Sequence, residues 1–200
     1  KTICLDDLNG YVLPHAGTKF TGNIISHTLR FKPNKLFKHV IILFLPSQNK
    51  ENVATKLGNF YHEYYVPYMS IKYAIANFWG IKRQIKFHSY NVNKKSKFKI
   101  PDFKNTLYVI SADFSHNLSF QEAIQLENCA AHSILHNKLD LACNSVIDDV
   151  RTFKEFNKIF PKKYKTKSPN LTKQEVKYLN TNCYWQWIGR TMSPGLQGVG

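Results

Sequence analysis

Apolar runs that each end in a short polar motif organise this chain. Gly10-Tyr11-Val12-Leu13 stops at Pro14-His15-Ala16-Gly17. Proline disfavours helix in the residue before it, so a strand over 10–13 ends there. His39 to Leu45 is continuously apolar after its first residue and rich in β-branched side chains. A strand covered on both faces reads this way. It stops at Pro46-Ser47-Gln48-Asn49, and Leu107 to Ser111 is a similar run that stops at Ala112-Asp113-Phe114-Ser115-His116. Ile85 to Tyr90 alternates and predicts a further strand.

The segments between carry helical spacing. Thr21 to Phe31 predicts a helix with Ile24, Ile25, Thr28 and Leu29 on one face. A second helix is expected within Val53 to Phe78, broken near Pro67. Ser119 opens a long one, with Gln121 and Glu122 in its first turn and Ala123, Leu126, Ala130, Ile134 and Leu135 as apolar positions. Shorter helices are expected over 145–158 and 172–180. The lysine-rich stretch 93–104 reads as a loop, and the glycine-rich 191–200 as a tail. Strand, motif and helix in repetition predict an α/β fold: three layers, with a central mostly parallel or mixed sheet flanked by helices. The 200 residues suit one domain over 1–200. Ligands of such sheets bind outside the carboxyl ends of the strands. Here those ends carry His15, the pair Gln48 and Asn49, and Asp113 with His116. Packing asks for nothing polar at the tip of a buried strand, so the three tips together predict a site.

Composition narrows the function classes. A hydrophobic fraction of 43% and an aromatic fraction of 14% supply a core and argue against disorder. The longest apolar run, Val40 to Leu45, is far short of the roughly 20 residues that span a bilayer. Lys and Arg outnumber Asp and Glu by 28 to 13, a net charge of +15. That field attracts phosphates, acidic proteins and anionic membranes. The lysines crowd into 82–104 and 154–177, without any RRM, KH, zinc-finger or helix-turn-helix signature. A solvated basic face is therefore preferred to a nucleic-acid groove. Cys4, Cys129, Cys143 and Cys183 are widely spaced and form no CxxC pair, which argues against a zinc knuckle. Reduced thiols in a cytoplasmic setting are expected, with Cys4 and Cys129 as small buried residues. His27, His39 and His62 read as packing or surface groups. His132 and His136 lack the glutamate motif of a zincin, and Trp185 and Trp187 read as core or rim aromatics.

Three motifs carry a resemblance. Leu13-Pro14-His15-Ala16-Gly17 is followed by Thr18-Lys19-Phe20-Thr21-Gly22, and later by Ser111-Ala112-Asp113-Phe114-Ser115-His116. Together they resemble the Memo family, whose fold is related to the class III extradiol dioxygenases. Its members show Pro-His-Ala-Gly-Tyr, then Gly-Pro-Ser-His-His after a hydrophobic strand, then Ser-Ser-Asp-Phe-x-His after another. Order and strand context agree. Phe60 to Pro67 resembles a family segment, keeping Glu63 and Pro67 but placing aromatics where the family has histidines. Asn182-Cys183-Tyr184-Trp185 is similar to a late cysteine segment, and Cys143-Asn144 to a Cys-Gly. The resemblance covers residues 10 to 190. The family's amino-terminal segment has no counterpart, and the middle is shortened.

The resemblance implies a metal, iron or copper, held by His15, a middle histidine and Cys183, with Asp113 and His116 beside it. Gln48 and Asn49 stand where the middle histidine belongs. Amide oxygens are weak ligands for iron or copper beside neutral imidazole. The site is therefore expected to be degenerate. His15, His116 and Cys183 are the metal candidates, Asp113 and His116 the catalytic ones, and Gln48, Asn49 and Glu63 line the cleft. The first functional expectation is a binding or scaffold role without a cofactor, taking an acidic or phosphorylated peptide; Memo relatives in animals are linked to phosphotyrosine-bearing receptor tails. The second is an iron- or copper-dependent oxidoreductase with a rearranged site. The third is a basic structural or nucleic-acid-associated protein of a large DNA virus, associated with the virion.

Overall fold

The computed structural model describes residues 2–6, 8–16, 18–46, 65–80, 85–94, 102–116, 118–135, 147, 149–160 and 188–189. Two short strands, β1 (Ile3–Leu5) and β3 (Phe31–Pro33), pair in parallel. The main sheet holds β2 (Gly10–Leu13), β4 (His39–Phe44), β5 (Lys86–Asn91) and β6 (Thr106–Ser111). Its order is β2-β6-β4-β5, and every neighbouring pair is parallel. The helices are α1 (Thr18–Leu29), α2 (Ser70–Trp79), α3 (Phe120–Leu135) and α4 (Val150–Ile159).

Side chains alternate across a strand, so a strand buried on both faces feeds two cores. Along β4, Val40, Ile42 and Phe44 enter one core, and Ile41 and Leu43 enter the other. Strand β6 repeats this, with Leu107 and Val109 on the first face and Tyr108 and Ile110 on the second. The first core is closed by Ile25 and Leu29 of α1 and Ile71 and Ile75 of α2. The second is closed by Ala130 and Ile134 of α3 and Phe153 and Phe156 of α4. The expected three-layer α/β architecture is therefore present, with a parallel sheet at its centre. Gly10 lets β2 lie close to β6: a Cβ there would stand 2.7 Å from the Tyr108 carbonyl oxygen.

The elements depart from expectation in instructive places. Helix α1 ends at Leu29, and Phe31 enters β3 instead, because Pro33 cannot continue a helix and β1 offers a pairing edge. The Tyr11 hydroxyl donates to the Phe31 carbonyl and ties that turn to β2. Pro67 lies in a π-helical turn over Tyr65–Met69 that runs into α2. In α3, Leu126 is 44% exposed and Glu127 takes a buried position. Neither Cys4 nor Cys129 is buried. Cys4 is exposed and free, whereas Cys129, on the solvent side of α3, is disulfide-bonded. The expectation of reduced thiols fails there. The helix expected over 145–158 is seen as α4; those over 53–64 and 172–180, and the tail 191–200, fall outside the described residues. Among the described residues, no helix is long and apolar enough to cross a membrane.

Candidate functional site

Chain direction creates the site. After β2 the chain turns into α1, on the first face of the sheet; after the adjacent β6 it turns into α3, on the second. Neighbouring parallel strands whose connections leave to opposite faces open a crevice at their carboxyl ends, the topological switch point. Leu13 of β2 pairs with Ser111 of β6. The next residues on each strand are therefore delivered side by side. His15 follows one strand and Asp113 the other.

Their contacts are close. The His15 backbone N–H donates to Asp113 Oδ1 at 2.8 Å, and His15 Nε2 lies 3.7 Å from Asp113 Oδ2. The other ring nitrogen, Nδ1, is 3.0 Å from the Ser111 hydroxyl and 3.9 Å from Asp149 Oδ2. That Asp149 oxygen accepts the Asp113 backbone N–H at 3.0 Å. The His15 and Asp113 side chains are 15% and 13% exposed, whereas Asp149, at 5%, is nearly out of water. It sits at the amino end of α4, where the helix dipole favours a negative charge. One turn of chain further, Glu127 of α3 accepts from the Ser115 N–H at 3.1 Å and from its hydroxyl at 2.5 Å. This fastens the Asp113–His116 segment to α3.

Of the residues singled out in the sequence, the structure unites His15 and Asp113. His116 is exposed beyond Ser115. Gln48, Asn49, Glu63 and Cys183 lie outside the described residues. Among the described residues, no three His, Cys, Asp or Glu side chains are arranged to hold a metal ion. His15 Nε2 and Asp113 Oδ2 supply two donors, separated by a span that one ion at about 2.1 Å from each can bridge. Sequence reasoning gave no role to Ser111 and Asp149, which complete the cluster, or to Glu127, which anchors Ser115 beside it. Asp149 precedes an amphipathic helix and reads as an ordinary N-cap. Its side chain makes no cap hydrogen bond and reaches across to β6 instead. Only the tertiary arrangement distinguishes the two.

Fold and cluster together define a three-layer α/β protein with a histidine–carboxylate site at its switch point. No family model, curated protein or solved structure matches the chain.

Proposed function

We propose that this is a Memo-like protein with a degenerate metal site, whose strand-tip cleft serves binding or scaffolding. The cleft takes a cationic or hydrogen-bond-donating group of its partner between His15 Nε2 and Asp113 Oδ2. The supporting observation is the meeting of two carboxylates, Asp113 and Asp149, around one imidazole in a chain of net charge +15. Carboxylates gathered at one point are stabilised by a positive neighbour. An ammonium or guanidinium group supplies that charge and the donors both atoms accept. The two carboxylates at these tips disfavour an acidic or phosphorylated peptide there. The resemblance in motif order supports the Memo-like reading, and so does the placement of His15 and Asp113 on adjacent strand tips. The cytoplasmic expectation rested on reduced thiols, and the disulfide at Cys129 removes that support.

A second reading, an iron- or copper-dependent oxidoreductase, is favoured by the 3.7 Å separation of His15 Nε2 and Asp113 Oδ2. Three protein donors are usual for such a centre, and this pair would be two of them. One experiment separates the readings. The whole chain and its His15→Ala variant are titrated with guanidinium and butylammonium ions at constant ionic strength, followed by amide NMR shifts. They are titrated in parallel with Fe(II) and Cu(I) under anaerobic conditions. The binding reading expects saturable, His15-dependent shifts at residues 13–16 and 111–115 with the organic cations. Tight stoichiometric uptake of Fe(II) or Cu(I), lost in His15→Ala, would establish the second reading in its place.

A further inference from the structure

We propose that His39 and His88 form a binding site for a borderline divalent transition-metal ion such as zinc, which clips the edge strand β5 to β4. The site goes beyond the binding reading and does not depend on it. It lies toward the amino ends of the parallel strands, whereas His15 and Asp113 follow their carboxyl ends.

Register brings the two rings together. His39 opens β4, and two positions on, Ile41 pairs with His88 of β5. Side chains alternate along a strand, so His39 lies on the face of Ile41 and His88 on the face of Tyr90, both of which line the second core. The imidazoles meet across the neighbouring strands. His39 Nδ1 stands 3.0 Å from His88 Nε2, with the ring centroids 5.2 Å apart. Those distances make the contact nearly head-on, with each nitrogen aimed into the space between the rings. A tetrahedral ion about 2.1 Å from each nitrogen needs them about 3.4 Å apart. A small swing of each ring opens the pair by that difference. Imidazole can offer a lone pair on either nitrogen, because its proton can sit on the other. The hydrogen-bonded pair is therefore close to a ligand pair in both geometry and chemistry.

The backbone beneath the pair is fixed. The Lys86 N–H donates to the Lys38 carbonyl at 2.9 Å, and the Lys38 N–H to the Asn105 carbonyl at 3.0 Å, so the starts of β4, β5 and β6 are stitched together. Ligands carried on strands hold their geometry better than ligands on loops. Both rings are half-buried and keep some contact with water. Water completes the coordination that two protein donors begin, which makes the site weaker than a closed four-ligand one. Imidazole suits zinc, copper and nickel, whereas calcium and magnesium prefer oxygen ligands, and this sets the class of ion. Lys86, paired with His39, opposes a cation. Its exposed ammonium rides on a flexible stem in water, where its charge is well screened. The gain from an ion falls on β5, the last strand in the sheet order, whose neighbour among the described strands is β4.

The test uses the full chain with 15N-labelled histidine, stripped of metal by a chelator, at about pH 7.5, above the ordinary histidine range. Zn(II) is titrated in, and the ring 15N shifts are followed. The signals of His39 and His88 should move together and saturate at one equivalent. A direct ligand matters no less than the groups that support one, so His39→Asn and His88→Asn should each weaken this binding about tenfold or more. His15→Ala should leave it unchanged. Zinc that moves neither ring overturns the proposal, as does binding that survives both Asn substitutions or that requires His15. If the variants do not fold, the wild type decides alone. Zinc should then shield both rings from carbethoxylation by diethyl pyrocarbonate in peptide mapping, and equal modification with and without zinc overturns the site. The binding reading stands or falls separately, on the guanidinium titration of His15→Ala.

Discussion

Single residues already carry sharp expectations. Tyr108 is 1% exposed, its hydroxyl has no hydrogen-bond partner among the described residues, and burial pushes its ionisation up to about 12. Its ring packs edge-on against Phe156 and Phe160. Tyr108→Phe keeps that ring and removes the stranded hydroxyl, so it should stabilise the protein by about 1 kcal/mol in denaturant unfolding. Glycines sort by their surroundings. A Cβ at Gly22, within α1, meets nothing within 4 Å, and Gly22→Ala should add about 0.5–1 kcal/mol. Gly10→Ala places a methyl against the Tyr108 carbonyl and should cost about 1–3 kcal/mol. A stable, normally folded Gly10→Ala protein would count against the β2–β6 register. His88 adds a pH dependence. Its ring nitrogen lies 3.0 Å from His39 Nδ1, and burial, then His39, then Lys86 hold its protonation below the ordinary value of 6.5. A histidine depressed on folding contributes stability that is complete above the unfolded value and lost as pH falls beneath it. The thermal midpoint should therefore decline as pH drops below 6.5, and His88→Asn should flatten that decline.

At the scale of elements, the amino end of α3 shows how much the sequence reveals. Ser119 and Glu122 form a reciprocal cap: the Ser119 N–H and hydroxyl donate to Glu122 Oε2 at 3.1 and 2.6 Å, and the Glu122 N–H donates back at 3.4 Å. These bonds draw the Glu122 carboxyl below its ordinary range. Ser119→Ala should raise it again and lower the thermal midpoint, with the loss seen at neutral pH and fading as Glu122 protonates in acid. Such local chemistry is legible from one sequence because donor and acceptor lie three positions apart. The strands were legible for a related reason. Continuous burial in a parallel sheet leaves an unbroken apolar run in β4 and β6, and Pro14 marks the end of the edge strand β2, so all three stand within a residue of their expected bounds. Glu127 shows the opposite case. Helical spacing puts Leu126 inward, but Ser115, arriving from β6, supplies two donors that draw the carboxylate in. Nothing near position 127 in the chain announces that partner. The covalent bond at Cys129 was equally hidden, since spacing alone assigns no pairing. Non-reducing peptide mapping should recover Cys129 in a cross-linked peptide and Cys4 as a free thiol.

For the whole molecule, the layers were legible in the sequence, and so were His15 and Asp113, which the structure brings together at adjacent strand tips. The order β2-β6-β4-β5 required the structure, because hydrophobic pattern does not say which strands are neighbours. That order creates the crevice, and brings Asp149 from the far end of the described chain to the same point. The charge of +15 belongs to this scale too. Diffuse basic charge should bind duplex DNA weakly and lose most of that affinity between about 50 and 200 mM salt. Affinity that survives the higher salt would make nucleic acid a specific partner. One further consequence follows from the two cores. Both are built mainly from side chains of the strands and helices, while His15 and Asp113 lie in loops beyond the strand ends. Selection can thus rewrite the rim without endangering the chassis. A lineage can discard an old chemistry residue by residue and still inherit a sturdy shell on which to install another.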